Sequence, residues 1–182
     1  MAFAALAQPA MAQAGTGSEA QSPLSGGASA APTIGSRIAA AVRAGDRYKA
    51  LAIADEFLAA NPRDAQVRFL RAVILEDLNR LDDAAKSLET LTEDFPELAE
   101  PYNNLAVIRA GQGQLAVAEH YLQLAVAAQP NYVTARENLG DLYLALAASA
   151  YEQAVQRNPD NPGLQRKLRL TRELGGKLRS AR

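Results

Sequence analysis

Between residues 99 and 132, apolar side chains recur at the three- and four-residue spacing of an amphipathic helix, in two runs. The runs consist of Tyr102, Leu105, Ala106 and Ile108, and of Leu115, Ala118, Leu122, Ala125 and Val126. The polar segment 111–114 separates them. Pro130 follows the second run and ends it, because proline lacks the N–H that a continuing helix needs. The pattern therefore predicts two helices joined by a short turn.

The hairpin pattern repeats along the chain with a period of 34 residues. Prolines stand at positions 62, 96 and 130. Small residues keep two further registers, namely Ala50, Ala84 and Ala118, and Ala72, Ala106 and Gly140. Small side chains at fixed positions let two antiparallel helices approach closely, where a bulky residue would push their axes apart. We expect units at 31–64, 65–98, 99–132 and a shortened 133–161.

These residues resemble the tetratricopeptide repeat (TPR) family. The matching positions are the small residues and prolines just named, Leu105 and Leu139, and the turn glycines Gly45 and Gly113. Over about residues 31–161, the resemblance implies an all-α TPR solenoid, a right-handed superhelix of antiparallel helix pairs. Arg71 departs from the pattern, because it stands where the other units have a leucine.

The first unit begins irregularly. Pro32 and Gly35 at its start predict a short first helix, with Ser36 as the N-cap. Arg68 and Arg136 depart from the family pattern in the second and last units, since they stand where Tyr102 places an aromatic ring in the third.

The last unit lacks five residues between Tyr143 and Ala147, where its interhelical turn should lie. The three residues that remain there include no Gly, Pro or Asn, so a hairpin turn does not fit. We therefore predict that both helices fuse into one, over about 133–157. Its apolar stripe would comprise Leu139, Leu142, Tyr143, Leu146, Ala150 and Ala154.

A final helix is expected over 162–179, as a C-terminal capping helix within a basic segment 162–182. Its apolar stripe would comprise Leu164, Leu168, Leu174 and Leu178, and the pair Gly175-Gly176 should fray its end. Residues 163–182 carry seven Lys or Arg and one Glu. Three interpretations of this charge remain open: a solvated cap, binding to anionic lipid or nucleic acid, or docking on an acidic groove of its own or a second chain.

The composition argues against several fold classes, partners and kinds of site. Hydrophobic residues make up 48% of the 182 residues but aromatics only 5%, which favours closely packed Ala/Leu helices over a β-sandwich. The net charge of −1 argues against a globally basic nucleic-acid protein, so we expect no nucleic-acid partner for the domain. With no Cys and one His, His120, we expect no metal, no cofactor and no catalytic residues, hence no enzyme.

The N-terminal 35 residues differ from the repeats. Residues 1–14 are apolar and end in small residues at alternate positions, as signal peptides do, although no basic residue precedes them. Residues 15–35 are rich in Gly, Pro and Ser and predict a disordered linker. We expect a periplasmic or secreted protein with no membrane span, or a cytoplasmic one if the N-terminus is only a tail.

In the resembled family, the first helices of the units line a concave groove that binds peptides. Carried over, this face comprises Gln66, Phe69, Val73, Glu76, Asp77, Glu100, Asn103, Asn104, Val107, Thr134, Glu137, Asn138 and Asp141. The asparagines can donate to and accept from a peptide backbone, and the carboxylates favour a basic or neutral partner. The expected function is a protein–protein interaction adaptor in a bacterial envelope assembly. The alternatives are a homo-oligomer, such as a homodimer, built on helix 133–157, and an accessory subunit of an enzyme complex.

Overall fold

A computed structural model describes residues 32–180, with side chains through Lys177. Eight α-helices and no strand make up the described part, which confirms the predicted all-α class. The helices are α1 (Ile34–Arg43), α2 (Arg47–Ala60), α3 (Ala65–Asp77), α4 (Leu81–Asp94), α5 (Ala99–Gly111), α6 (Leu115–Ala128), α7 (Val133–Arg157) and α8 (Pro162–Ser180). They form two compact units, with α1–α4 in the first and α5–α8 in the second. The predicted signal-like segment 1–14 and most of the linker 15–35 lie outside the described residues.

The start of α1 corrects one expectation. The helix begins at Ile34, and its N-cap is Thr33 rather than Ser36. The Thr33 hydroxyl accepts a hydrogen bond from the Ser36 N–H at 3.2 Å, while Ser36 Oγ donates to the Thr33 carbonyl at 2.8 Å. The threonine is favoured because it lies three residues before the free N–H that it can satisfy.

Three of the turns have the same left-handed backbone conformation, at positions 34 residues apart. Gly45 and Gly113 have φ of 80° and 77°, and Asn79, midway between them, has φ of 58°. Glycine reaches this left-handed region without steric cost, and asparagine tolerates it better than most residues. Asn79 therefore takes the place of a turn glycine in the second repeat.

The N-terminal unit combines an apolar core with a polar bridge centred on Arg71. Ala72, Leu75 and Leu88 are completely buried. Arg71, which replaces a repeat leucine, points its guanidinium to the Asp55 carboxylate on α2 at 2.5 Å and to the Ser87 hydroxyl on α4 at 3.0 Å. The arginine thus joins the two second helices of this unit through its polar head.

The C-terminal unit packs α5 against α6 through small residues. Tyr102 and Ala106 on α5 lie in one buried cluster with Ala118, Leu122 and Ala125 on α6. Helix α7 then runs unbroken from Val133 to Arg157, which confirms the predicted fusion of the two helices of the last repeat unit.

Two details of α7 differ from the expectation. Its predicted stripe is split: Leu142 is buried and Leu139 and Leu146 are half-buried, but Tyr143 is 45% exposed. Gly140 was expected to serve close packing, yet it is exposed, and a Cβ atom placed on it would meet nothing within 4 Å. The reason is that no second helix of its own unit folds back onto it.

Helix α8 lies along the second half of α7. Leu168 is buried, Arg172 pairs with Glu152 at 2.6 Å, and Lys167 lies 5.7 Å from the centre of the Tyr151 ring. Leu174 was expected in the apolar stripe but is 49% exposed, since six residues after Leu168 bring it to the far side of the helix. The helix also continues through Gly175-Gly176 to Ser180 instead of fraying at the glycines.

Candidate functional site

In the N-terminal unit, the predicted groove residues all lie on α3. Gln66 and Asp77 are exposed, Glu76 is half-buried, and Phe69 and Val73 are buried. The Asp77 carboxylate lies 3.6 Å from the guanidinium of Arg47 on α2. This face is therefore acidic at its edge and apolar inside.

A small cleft of about 40 Å³ opens between α1 and α3. Ile38 and Val42 line one wall, and Val73 and Asp77 line the other. The α1 residues were not among the predicted groove residues. The spacing of Ile38 and Val42, four residues apart on the first helix of a repeat, was the signal that could have placed them there.

The three asparagines of the C-terminal unit are the main departure from the expected site. Asn103, Asn104 and Asn138 are completely buried, so in this conformation they do not present their amides to a peptide. Asn138 Nδ2 on α7 donates to Asn103 Oδ1 on α5 at 2.8 Å, and Asn103 Nδ2 donates to Asn104 Oδ1 at 3.4 Å. Buried amides need hydrogen-bond partners, and these supply one another while linking the two helices.

The acidic residues of the same unit are more accessible. Glu137 on α7 is exposed, and Glu100 on α5 and Asp141 on α7 are half-buried. Glu137 and Asp141 are one turn apart and share a side of α7. The remaining predicted residues, Val107 and Thr134, are also half-buried. The C-terminal unit therefore presents carboxylates around a buried amide network.

Tyr132, just before α7, was not among the predicted residues. Burial raises the pKa of its phenol to about 12, and the negative charge of Glu100 adds to the rise. The Thr134 side chain acts in the opposite direction, but no hydrogen bond of normal geometry reaches the buried Tyr132 hydroxyl among the described residues. An apolar environment disfavours the charged phenolate, so this tyrosine stays neutral at physiological pH.

The described residues show no candidate metal site. No group of three His, Cys, Asp or Glu in residues 32–180 is placed to hold a metal ion. His120 on α6 is exposed, and its ring centroid lies 6.1 Å from that of the neighbouring Tyr121. None of the helices within residues 32–180 is both long enough and apolar enough to cross a bilayer.

Known proteins share the sequence pattern and the fold. Over 73 residues the chain is 38% identical to the tetratricopeptide repeat domain-containing protein PYG7, chloroplastic, of Arabidopsis thaliana. That match covers 37% of this chain and 24% of the plant protein, so it spans about a quarter of that relative's length.

Solved structures with a similar fold include two of MamA, each with a TM-score of 0.57. They are 22% and 24% identical and cover 81% and 79% of this chain, and 83% and 86% of their own. The structure of Naa15/Naa10 bound to HypK-THB matches with a TM-score of 0.51 and 13% identity, over 76% of this chain and 22% of that one. The tetratricopeptide repeat profile matches residues 38–100 and 103–162, well over half of the chain. The chain therefore belongs to the tetratricopeptide repeat family.

Proposed function

We propose that this chain is a non-enzymatic adaptor that binds a basic or neutral segment of a protein partner on the acidic face of its C-terminal unit. The family assignment supports protein–protein interaction as the general role. The observation that carries the finer proposal is the group of carboxylates formed by Glu137, Asp141 and Glu100. Residues 96–162, which comprise α5–α7 without the basic helix α8, contain seven acidic and three basic residues, so this part of the unit carries a net negative charge.

The buried asparagine network has a supporting role in this proposal. Because Asn103 and Asn138 bond to each other, they fix α5 against α7 and so hold the carboxylates of the two helices at a constant spacing. A prearranged face loses less entropy on binding than one that must be ordered by its ligand. The network thus contributes to affinity without touching the partner.

Selection of phage-displayed random dodecapeptides on the full chain tests the proposal. We expect enriched peptides to be rich in Lys and Arg and poor in Asp and Glu. The charge reversal Glu137→Lys/Asp141→Lys should weaken their binding by about tenfold or more, because each attraction becomes a repulsion.

The control variant Glu97→Lys/Asp160→Lys changes the net charge equally, at two exposed positions outside the helices of the same unit. It should keep at least most of the affinity. Enrichment of acidic peptides, or equal losses in the two variants, would contradict the proposal.

We also propose that the adaptor works in a bacterial envelope assembly after export. The support is the signal-like composition of residues 1–14, with small residues at positions 10, 12 and 14. Expression in a Gram-negative host, followed by mass spectrometry of the periplasmic fraction, tests this. A chain shortened at one of these small residues is expected, whereas an intact chain confined to the cytoplasm would contradict export.

An accessory subunit of an enzyme complex remains compatible with the same acidic face. The peptide selection addresses it, since enriched sequences name the kind of segment bound. No described residue favours this alternative over the general adaptor.

A further inference from the structure

Helix α7 contains both halves of a helical hairpin that cannot fold back on itself. Leu139, Gly140 and Tyr143 keep the 34-residue register of the first helices of the repeats. Further along the same helix, Ala147 and Tyr151 lie 29 residues after Ala118 and Leu122, and so keep the register of the second helices. The structure shows one continuous helix across both halves.

The preceding hairpin shows how two such halves pack. There Ala106 on α5 and Ala118 on α6 are completely buried in the same cluster, which also contains Tyr102 and Leu122. Ala106 and Ala118 correspond by register to Gly140 and Ala147, and Tyr102 and Leu122 correspond to Arg136 and Tyr151. The repeat thus provides a template for contacts that α7 cannot make within one chain.

The first half of α7 leaves the corresponding face open. Val133 is 72% exposed and Tyr143 is 45% exposed, although both are large apolar side chains. Arg136 and Gly140 on the same face are also exposed, and the space next to Gly140 is empty to beyond 4 Å. A face of this kind is what a second helix of the repeat would cover.

We infer that two copies of this chain complete the last repeat for each other. Their α7 helices would pack antiparallel, with the two-fold axis passing between Tyr143 and Leu144. In this register Gly140 of one copy faces Ala147 of the other, so that two small residues allow a close approach. The same contact occurs twice, as a two-fold interface requires.

The side chains at the ends of this register are complementary. Arg136, which stands where the third unit has Tyr102, would face Tyr151 of the second copy, which stands where that unit has Leu122. The third unit thus has its aromatic ring on its first helix, whereas the last unit has it on the second half of α7. A guanidinium over the face of a tyrosine ring is a favourable pair. Val133 would contact the small side chain of Ala154 in the second copy. By register these two residues correspond to Ala99 and Ala125 of the third unit.

Helix α8 packs on the second half of α7, where Lys167 lies 5.7 Å from the centre of the Tyr151 ring and Arg172 pairs with Glu152. The first half stays uncovered at Val133, Gly140 and Tyr143, which are exposed. Tyr151 is only half-buried, which leaves part of its ring for the second copy. The missing turn also explains why the partner is a copy of this chain, because a deletion that prevents intramolecular docking leaves the intermolecular version of the same contact available. This inference does not depend on the peptide-binding proposal.

Disulfide trapping of the full chain tests the register. The chain has no cysteine, so the double variant Gly140→Cys/Ala147→Cys introduces only the designed pair. Within one helix these residues are about 10.5 Å apart, beyond the reach of a disulfide. Mild oxidation should therefore give a covalent dimer in high yield.

Gly140→Cys alone is the matched control. In the antiparallel register, two copies of residue 140 are offset by about 10.5 Å along the helix axes and lie farther apart than that through space, so this variant should stay unlinked. Efficient linking of the single variant would indicate a parallel arrangement and would overturn the inference.

Sedimentation velocity of the untagged chain tests whether the missing turn causes dimerisation. The molar mass obtained for the unmodified chain should be twice the 19.3 kDa of one copy. Replacing Leu144–Leu146 with a copy of residues 110–117 restores the missing turn, and this variant should sediment as a folded monomer. Insertion of Gly-Gln-Gly-Gln-Gly after Asp160, in the loop between α7 and α8, is the control and should leave the dimer intact.

A point variant separates dimerisation from folding. Gly140→Leu fills space that is empty in the single chain, so the monomer should stay folded while the dissociation constant rises by about tenfold or more. Ala127→Leu, on an exposed position of α6, should leave the constant unchanged. A chain that stays monomeric at high micromolar concentration, or a dimer that tolerates Gly140→Leu and the restored turn, would refute the inference.

Discussion

The second repeat, in the N-terminal unit, and the last repeat, in the C-terminal unit, carry the same repeat positions but use them in different ways. Position 72 of the first unit is an alanine with no exposed surface, whereas its equivalent in the last repeat, Gly140, is exposed beside empty space. One position earlier, Arg71 reaches Asp55 and Ser87 through its guanidinium, whereas Leu105 lies in an apolar core.

The difference shows that a repeat residue acquires its role from the helix that packs against it. Ala72 and Ala106 are constrained because a second helix follows each of them after a short turn. Gly140 keeps the small residue, but its second helix continues straight on, and the constraint disappears within one chain.

The largest effect is expected where the constraint is strongest. Ala106→Leu should destabilise the C-terminal unit by about 3 kcal/mol or more, since a bulky side chain must separate α5 from α6. Gly140→Ala, measured at a concentration low enough to keep the chain monomeric, should instead gain up to ~1 kcal/mol from helix propensity. Urea unfolding followed by circular dichroism measures both, and losses at both positions would break the comparison.

A smaller loss is expected from the amide network of the C-terminal unit. Asn138→Ala leaves Asn103 Oδ1 without its donor in a buried site and should cost about 2 kcal/mol. The exposed Asn131→Ala is the control and should change the unfolding free energy by less than about 0.5 kcal/mol. If the two losses were equal, the network would contribute nothing beyond surface hydration.

Alkaline pH should weaken the C-terminal unit through Tyr132. Folding raises the pKa of this phenol from 10.0 to about 12, so its contribution is complete below pH 10 and is lost as the pH rises from 10 towards 12. Partial solvent access limits the loss to about 1–2 kcal/mol. Unfolding curves at pH 9 and pH 11.5 should show a smaller decline for Tyr132→Phe than for the unmodified chain. Identical declines would mean that another group controls the alkaline stability.

The smallest effect concerns the polar bridge of the N-terminal unit. Arg71→Ala should cost less than about 1 kcal/mol, because the Asp55 partner is half exposed to solvent. Arg71→Leu should cost less than the alanine variant, since it restores the apolar side chain of the other repeats. Thermal melts in 50 mM and 1 M NaCl check the electrostatic part, and a salt-independent difference between arginine and alanine would assign the effect to packing.

Helix boundaries and the fused helix were predictable because they depend on spacing along the chain. The 29-residue interval from Pro130 to Pro159 is too short for two helices and a turn, which predicts one helix over about 133–157. In the structure, α7 covers this range. The left-handed turn at Asn79 could have been found in the same way, as it lies midway between Gly45 and Gly113.

The site was less predictable because burial depends on neighbours that a single sequence does not identify. Asn103 and Asn138 are of a residue type that suits a peptide-binding face. The hydrogen bond between their side chains can be seen only once α5 and α7 are placed next to each other in the structure. The same difficulty applies to Leu174 on α8. Which leucines of this helix are buried depends on the side that packs against α7, and the sequence alone does not identify that side.

The uninterrupted backbone of α7 also bears on how the chain opens. In an ordinary repeat array, the terminal hairpin can unravel and reform alone, because a turn divides its hydrogen-bonded segments from the rest. Here the amide ladder of residues 133–157 passes from the α6 side of the unit to the α8 side without a gap. Amide hydrogens at both ends of α7 should therefore exchange with deuterium at correlated rates, so that this part of the chain opens as a larger cooperative unit than one repeat.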